Sequence, residues 1–382
     1  MKIGVDIRPL MDKEYSGVSW YTLDLLTAIL DQDKINEYFL YYNSGHDISS
    51  RMPKILAANV KTVSTKYPNK LFNYLLQNVL HWPKLDKLSG GVDIFWLPHI
   101  NFASFSKNCR KILTIHDLSF LIFPEFFSDR KNFWHRMINV KKIISSVDKI
   151  IAISENTKKD IVDNIGVPAE KIIVVYSGVG AEFKLLDPND DNLKKIKDKY
   201  RLPDKFILNI GTIEPRKNIV GLVQAFDLMA QIPKFQDYYL VIAGSSGWKN
   251  KEIFKAINLA KNKDKIKIIG YIEKSERTYF YNLAEIFCYP SFYEGFGLPV
   301  LEAMACGTPV ITSAVSSLPE VAGEAALYVD PNDINSITEA MQQLAARGEL
   351  QKLMVVRGLV QAKKFSWKKT AEKYLEIFNQ KI

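Results

Sequence analysis

Short runs of β-branched and aromatic residues alternate with longer amphipathic stretches along most of this 382-residue chain. Two neighbouring parallel strands require a connection of that length, and a helix usually provides it. Such runs occur in two groups, one in each half of the chain. The pattern therefore predicts two doubly wound α/β domains, each with a parallel sheet covered by helices on both faces.

Hydrophobic periodicity places the individual elements. The strands are expected at 2–7, 38–43, 60–64, 93–98, 111–117, 149–154, 171–176, 206–211, 239–244, 265–270, 286–291, 309–313 and 326–330. The clearest helical stretches are expected at 19–31, 70–82, 130–146, 155–165, 333–346, 349–364 and 367–380.

A change of composition separates the two halves. Residues 177–192 are rich in Gly, Pro, Asp and Asn and have no clear period, which is typical of a linker. We therefore predict a first domain over 1–180 and a second over 181–365. No strand separates the last two helical stretches, and we expect the helix in 366–382 to pack back toward the first domain.

The charge balance is mildly basic. The chain has 51 Lys and Arg against 42 Asp and Glu, a net charge of +9 that is spread over both halves. A cationic surface is the simpler interpretation, and attraction to phosphates or anionic lipid headgroups is the functional one. A nucleic-acid-binding α/β protein is a weaker alternative, because no binding motif accompanies the charge.

Cysteine usage and hydropathy bear on the compartment. Cys109, Cys288 and Cys306 are too few and too scattered for a disulfide framework or a CxxC metal site, which fits a reducing cytosol. The opening MKIGVDIRPL is interpreted as a strand rather than a signal peptide. No apolar run approaches the roughly 18–20 residues of a membrane span. We expect a cytoplasmic protein, attached at most to the inner membrane surface.

Ligands of open α/β sheets bind at the carboxyl ends of the strands, and two polar segments follow strands of the first half. Gly17 comes just before a helix expected to begin near Ser19, where backbone N–H groups can meet an anion, although an ordinary capped turn is the simpler interpretation. His116 and Asp117 end another strand. A histidine there can donate to a sugar hydroxyl or transfer a proton, or it can be a hydrogen-bonded residue under a loop.

Two segments of the second half carry more specific signals. Arg216 and Lys217 directly precede a helix expected from Asn218, where the helix dipole disfavours cations unless an anion such as a diphosphate lies between them. Further on, Glu294 lies in a glycine-rich turn and Glu302 about one helical turn beyond Pro299. The two carboxylates suit the hydroxyls of one ligand, the acid and base of a glycosidase, or an ordinary surface.

Glu294 and Glu302 lie within YPSFYEGFGLPVLEAMACGTPVI, with GTIEPRKN before them, and this combination resembles the family 4 retaining glycosyltransferases with the GT-B fold. SGVSWYTLDLL, HDLSF, AISENTKKDI and SSLPEVAGEAALYVDPND resemble other segments of that family. Among its subgroups, the mannosyltransferases of O-antigen or exopolysaccharide assembly are the most similar. The resemblance implies two Rossmann-like domains that face a central cleft.

The resemblance also implies roles for particular residues. Arg216 and Lys217 would bind the donor diphosphate, Glu294 the sugar hydroxyls and Glu302 the ribose. Gly17 would approach the phosphates, and His116, with Asp117 beside it, would contact the transferred sugar. The remaining donor-site positions are Thr212, Gly295, Phe296, Gly297, Leu298, Leu318, Pro319 and Glu320. Thr212 departs from the family, because many members have Arg there, and so does Ser16, where many have a second Gly.

The expected function is the retaining transfer of a hexose from a GDP- or UDP-sugar, with GDP-mannose as the first candidate, to a glycan or lipid-linked saccharide. No cofactor or metal is expected, because two cations and a helix end can stabilise the diphosphate; the only DxD sequence, Asp31 to Asp33, is interpreted as a solvated turn. The basic, aromatic segments 66–84 and 130–142 suit either a membrane surface or packing into the first domain. A GT-B protein that binds or epimerises nucleotide sugars without transfer is the alternative.

Overall fold

The computed structural model describes residues 1–69, 71–73 and 79–380. It divides into unit 1, which is Met1–Leu121, Asp129–Gly178 and Ser366–Ile382, and unit 2, which is Ile122–Ser128 and Val179–Phe365. Unit 2 thus includes a short segment that the sequence assigned to the first domain. The predicted helix at 70–82 and the surface segment at 66–84 lie partly outside the described residues.

The strands agree with the predicted pattern in number and order, and all their pairings are parallel. They are β1 Lys2–Asp6, β2 Glu37–Asn43, β3 Val60–Thr65, β4 Ile94–Leu97, β5 Arg110–Ile115, β6 Lys149–Ala152, β7 Ile172–Val174, β8 Phe206–Ile210, β9 Tyr239–Ala243, β10 Ile266–Gly270, β11 Ile286–Tyr289, β12 Val310–Ser313 and β13 Ala326–Val329. The first seven form the sheet of unit 1 in the order β3-β2-β1-β4-β5-β6-β7, and the other six form the sheet of unit 2 in the order β10-β9-β8-β11-β12-β13. The predicted pair of doubly wound sheets is therefore confirmed.

The α-helices of the described residues lie between these strands, except for the last three, which follow β13. They are α1 Gly17–Gln32, α2 Leu85–Leu88, α3 Ser119–Ile122, α4 Asp129–Ile138, α5 Val140–Ser146, α6 Glu155–Ile165, α7 Asp191–Tyr200, α8 Ile219–Ala230, α9 Lys251–Leu259, α10 Lys274–Leu283, α11 Leu298–Ala305, α12 Leu318–Ala322, α13 Ile334–Ala346, α14 Gly348–Ala362 and α15 Trp367–Asn379. The single helix predicted over 130–146 is wrong, because Asn139 adopts a left-handed conformation with φ 50° and separates α4 from α5.

Each sheet is buried where its strands are continuous runs of apolar residues. This pattern is expected of parallel strands that are covered on both faces. Every residue of β4, β8 and β11 is buried. In unit 2, α8 adds Leu222, Val223 and Phe226 to a core that continues under α13. These cores fix the strand ends from which the polar loops emerge.

The turn after α1 differs from its sequence-based interpretation. Asp31 is exposed, but Asp33 is buried and accepts hydrogen bonds from the Asn36 backbone N–H (3.1 Å) and the Tyr38 hydroxyl (2.6 Å). Burial alone would raise the pKa of Asp33, but these donors outweigh it and lower that pKa. The expected solvated turn is therefore wrong for Asp33, whose carboxylate organises the connection to β2.

The C-terminal helix α15 belongs to unit 1 and is fixed there by buried hydroxyl groups. The Tyr374 hydroxyl lies 2.8 Å from the Tyr21 hydroxyl and 2.6 Å from Thr114 Oγ1, which also accepts a hydrogen bond from Trp96 Nε1 at 2.9 Å. Arg110 donates to the carbonyl oxygens of the last turn of α15. Among the described residues, no helix is both long enough and apolar enough to cross a membrane.

Replacing Tyr374 tests this arrangement. Tyr374→Phe removes a buried hydroxyl shared by two partners, and we expect it to lower the free energy of unfolding by about 1–3 kcal/mol. Tyr374→Ala also leaves a cavity and should cost about 3–5 kcal/mol. Denaturant unfolding followed by circular dichroism measures both, with exposed Lys373→Ala on the same helix as the control. A Tyr374→Phe protein as stable as the control would contradict the proposed role of the hydroxyl.

Candidate active site

The polar loops of unit 2 follow β8 and β11, which are neighbours in the sheet. After β8, residues Pro215–Lys217 form one turn of 3-10 helix, and Asn218 is the N-cap of α8. Asn218 has φ 53°, and its side-chain oxygen accepts the Gly221 N–H, which caps the helix. The two cations of this turn therefore lie at the amino end of α8, as the sequence predicted.

Four charged side chains meet where the two loops adjoin. Glu294 Oε1 lies 2.6 Å from Lys217 Nζ, and Glu294 Oε2 lies 2.9 Å from Arg216 Nη1. Glu214 Oε1 accepts from Arg216 Nη2 at 2.9 Å. Three of these residues are buried, and the Arg216 side chain is only 15% exposed. The cations that suggested an empty anion site thus already have carboxylate partners, and the formal charges of the four groups cancel.

The electrostatic balance keeps Glu294 ionised. Burial by itself would raise the pKa of this carboxyl, but Arg216 and Lys217 outweigh burial and hold the pKa at about 2. A general acid in a glycosidase needs the opposite, a pKa raised toward neutrality. The structure therefore disfavours the glycosidase interpretation for Glu294 and favours a permanent hydrogen-bond acceptor.

Lys217 has a different environment from an exposed lysine. Burial lowers its pKa and the neighbouring Arg216 lowers it further, against the opposing effect of Glu294. Its ammonium group also donates to the Tyr289 hydroxyl at the end of β11. Sequence reasoning missed Tyr289 and Glu214, although both lie within the quoted motifs. Tyr289 ends β11 and Glu214 lies in the loop after β8, and these positions are the signal that could have identified them.

The glycine-rich turn before α11 is shaped by the segment before α12. Ser317 Oγ donates to the carbonyl oxygens of Glu294 and Phe296, both at 2.9 Å. Gly297 has φ 108°, and a Cβ atom there would lie 2.8 Å from a methyl carbon of Leu318. The fold thus brings Leu318 against the turn formed by Gly295, Phe296, Gly297 and Leu298, as the sequence grouped them. Ser317, which holds this turn, was not identified from the sequence.

Glu302 and the three remaining donor-site candidates also lie in unit 2, and among them Pro319 is exposed in the first turn of α12. Glu302 is buried on α11, and its Oε2 accepts from the Tyr281 hydroxyl of α10 at 2.8 Å. Thr212 follows β8, and its methyl group restricts the space beside Gly247. Glu320 lies half-buried on α12.

In unit 1, His116 and Asp117 directly follow β5. Nε2 of His116 lies 2.8 Å from the carbonyl oxygen of Pro98, and a carbonyl only accepts, so Nε2 carries the proton and Nδ1 is the acceptor. Burial lowers the pKa of His116, which favours the neutral ring. In this arrangement the ring offers an acceptor, and its bond to Pro98 fits the alternative of a hydrogen-bonded histidine; the donor and proton-transfer roles stay predictions. Asp117 Oδ1 accepts from the backbone N–H and hydroxyl of Ser119.

Gly17 is the first residue of α1, so the helix begins two residues earlier than expected. Ser16 and Ser19 form a reciprocal capping box around it. A Cβ atom at Gly17 would meet no other atom within 4 Å. Packing therefore does not require glycine at this position. Tyr21, one turn further along α1, packs edge-on against the His116 ring with the ring centroids 4.6 Å apart.

Two family models match the chain, one over each half. The model for Glycosyltransferase Family 4 matches residues 15–183, and the model for Glycosyl transferases group 1 matches residues 191–358. An O-antigen chain mannosyltransferase B of Escherichia coli is 34% identical over 275 residues, which cover 72% of this chain and 69% of that protein. The chain belongs to the glycosyltransferase family that these two models and this relative represent. The resemblance inferred from the motifs is therefore confirmed.

Other similar proteins extend the comparison. The serotype-specific mannosyltransferase WbdA of Escherichia coli is 31% identical over 71% of this chain, but the match spans only 33% of that longer protein. The sucrose-phosphate synthase of Thermosynechococcus elongatus has a TM-score of 0.79 at 20% identity, with 100% of this chain and 98% of that one covered. HepE of Anabaena, solved with UDP and glucose, has a TM-score of 0.75 at 15% identity, covering 100% and 99%. These structures establish the GT-B fold.

The ion pairs of the site make a testable contribution to stability. Lys217→Ala leaves a buried carboxylate with one cation fewer, and we expect it to lower the free energy of unfolding by about 3–5 kcal/mol. Lys205→Ala is the matched control, because the Lys205–Asp237 pair has the same 2.6 Å separation but lies exposed, and it should have little effect. Chemical denaturation of both variants measures the difference. Equal effects would show that burial of the Glu294 pair adds nothing.

Proposed function

We propose that this glycosyltransferase moves a hexose, with mannose as the first candidate, from a nucleotide-diphosphate sugar to a glycan or lipid-linked saccharide, with retention of configuration and without a metal ion. The observation that carries the proposal is the pairing of Arg216 and Lys217 with Glu294 at the amino end of α8. This arrangement places two cations and a sugar-binding type of side chain in direct contact.

The chemistry follows from where negative charge develops. As the bond between the sugar and the diphosphate breaks, charge grows on the departing phosphate oxygens. Arg216 and Lys217 are already fixed beside a helix amino end, so they would stabilise that charge most strongly in the transition state. This contribution would take the place of a divalent cation. Glu294, ionised throughout the neutral range, would then accept hydrogen bonds from the sugar hydroxyls.

The other site residues take supporting roles in this proposal. Glu302 would bind the ribose hydroxyls, and the turn from Gly295 to Leu298 would present backbone N–H groups to the phosphates. Thr212, Leu318 and Glu320 would line the donor site. The roles of Gly17, His116 and Asp117, which lie in unit 1, stay predictions of the sequence.

The relatives guide the choice of substrates. Two of the similar proteins are named as mannosyltransferases, one of them an O-antigen chain enzyme, and HepE was solved with UDP and glucose. A nucleotide sugar donor and a surface-polysaccharide acceptor are therefore the first candidates, and a comparison of GDP- and UDP-sugars decides the base. Thermal stabilisation by each donor is the direct screen, because a ligand bound only to the folded state raises the melting temperature.

Transfer assays test the proposal. Glu294→Gln and Lys217→Ala should each lower kcat/KM by about 100-fold or more, because both act on charge or hydroxyls in the transition state. EDTA should leave the rate unchanged, and NMR of the product should show the anomeric configuration of the donor. Lys205→Ala should transfer sugar at the normal rate.

Three results would decide against parts of this proposal. Normal transfer by Glu294→Gln would exclude the assigned site, and an inverted product would exclude retention. Donor binding without transfer to any acceptor, or conversion of the donor to its epimer, would favour the alternative of a GT-B protein that binds or epimerises nucleotide sugars.

A membrane-facing surface on unit 1 is a second part of the proposal. Phe133 and Trp134 are 62% and 42% exposed on α4, among the basic residues of DRKNFWHR. Exposed Trp82 lies in a neighbouring segment, since Lys142 Nζ on α5 is 3.5 Å from His81 Nε2. Aromatic side chains beside cations suit a layer of anionic headgroups and hence a lipid-linked acceptor at the inner face of the cell membrane.

Vesicle binding tests this surface. Sedimentation with phosphatidylglycerol vesicles should capture the wild type, and the double substitution of Phe133 and Trp134 by Ala should reduce capture several-fold without changing the melting temperature. Leu353→Ala, an exposed apolar residue of α14 in unit 2, is the matched control. Equal capture of all three proteins, or none of the wild type, would contradict the assignment.

A further inference from the structure

A short aromatic segment, Ile122–Ser128, belongs to unit 2, although Leu121 and Asp129 on either side of it belong to unit 1. Its sequence, IFPEFFS, contains three phenylalanines. We call it the aromatic segment. The predicted boundaries place the aromatic segment in the first domain, because strands and helices of that domain are predicted on both sides of it. No role was predicted for it.

The aromatic segment is held by ring contacts with two loops of unit 2. The Phe126 ring stacks on Phe292, with centroids 5.6 Å apart and planes 18° apart. The Phe123 ring lies 5.6 Å from that of Tyr293. Phe292 and Tyr293 directly precede Glu294, so the aromatic segment contacts the loop that carries the central carboxylate.

Hydrogen bonds from a second loop fix the backbone of the same segment. Trp248 Nε1 donates to the carbonyl oxygen of Phe126 at 2.6 Å, and its ring stacks with Phe127 at 5.7 Å. Lys249 Nζ donates to the carbonyl oxygen of Glu125 at 2.8 Å. Rings and backbone together define the position of Phe126.

Two of the residues that the aromatic segment contacts also hold Arg216, together with Glu214 and Glu294. The backbone N–H of Phe292 donates to the carbonyl oxygen of Arg216 at 2.9 Å. Arg216 Nη1 donates to the carbonyl oxygen of Tyr293, also at 2.9 Å. Both ends of Arg216, the main chain and the guanidinium, therefore depend on where residues 292 and 293 lie.

A cavity of about 330 Å³ that is open to solvent lies beside this contact. Its lining includes Phe126, Phe292 and Pro215, the residue before Arg216. Loss of the Phe126 ring would enlarge that space and would leave the Phe292 loop without its stacking partner. Side chains that share a cavity and a loop are the ones expected to be energetically coupled.

We propose that Phe126 is a positioning residue for Arg216. It acts through Phe292 and Tyr293 to aim the guanidinium at the donor diphosphate, and Trp248 holds Phe126 in place. The inference rests on the proposed function, because it assigns Arg216 to the diphosphate. It adds that the aromatic segment, whose neighbours in the chain on both sides belong to unit 1, sets the affinity of unit 2 for the diphosphate.

The test compares nucleoside diphosphate and monophosphate binding by calorimetry, with GDP and GMP or with UDP and UMP, whichever diphosphate the wild type binds more tightly. Phe126→Ala should weaken diphosphate binding about tenfold and change monophosphate binding less than twofold, since coupling between contacting residues is commonly of this order. Trp248→Phe, a milder change, should weaken diphosphate binding about threefold. Phe254→Ala, which removes an exposed phenylalanine of α9 in the same unit, should match the wild type.

A double-mutant cycle separates positioning from general structural support. In an Arg216→Met background, Phe126→Ala should have no further effect on diphosphate binding, because the residue it positions is gone. Equal losses for both nucleotides, or an unchanged loss in the Arg216→Met background, would overturn the inference. If Phe126→Ala fails to fold, normal diphosphate binding by Trp248→Phe would overturn it as well.

The same measurements distinguish this inference from the proposed function. A wild type that binds no nucleoside diphosphate would overturn both. A wild type that binds one and loses it on Arg216→Met, while Phe126→Ala binds normally, would overturn only the role of the aromatic segment.

Discussion

The loops of the candidate site depend on one buried carboxylate, Glu294, which accepts from Lys217 with one oxygen and from Arg216 with the other. These bonds join the loop after β8 to the loop after β11, whose strands lie side by side in the sheet. A carboxylate at this depth stays ionised only because two cations outweigh its burial. Removing any of the three groups would leave an uncompensated charge.

The carboxylates of this cluster affect how it can bind an anionic ligand. With Glu214 and Glu294 present, the two cations are already neutralised. An arriving diphosphate would therefore compete with protein carboxylates for the same donors. On the proposed function, Glu294 would accept from the sugar hydroxyls while the phosphates bind Arg216 and Lys217, which would couple sugar recognition to diphosphate recognition.

Much of the fold was predictable because parallel strands buried on both faces read as continuous apolar runs. β8, with all five residues buried, is an example, and its position identified the loop that carries Arg216. The helix break at Asn139 was not predictable, since the periodicity continues through it and only the left-handed backbone ends α4. The burial of Asp33 was missed because Tyr38, which closes over it, lies on the following strand.

Part of the candidate site was predictable because two cations at the amino end of a helix are unfavourable with respect to the helix dipole. The partners of those cations were not predicted. Glu214 was overlooked although it lies two residues before Arg216 in the same loop. Tyr289 and Glu294 meet Lys217 only through the neighbouring positions of β8 and β11. The aromatic segment was missed for the same reason. Its phenylalanines make sense only beside Phe292 and Trp248, which lie more than a hundred residues further along the chain.

The affinity of Glu294→Gln for GDP and UDP, compared with the wild type, shows whether Glu294 competes with a diphosphate for Lys217 and Arg216. Glutamine keeps the size of the side chain and removes the charge that competes for these two cations. The folded variant should bind the free nucleoside diphosphate several-fold more tightly than the wild type, and Lys217→Met should bind it more weakly. Weaker diphosphate binding by a correctly folded Glu294→Gln protein would contradict this competition.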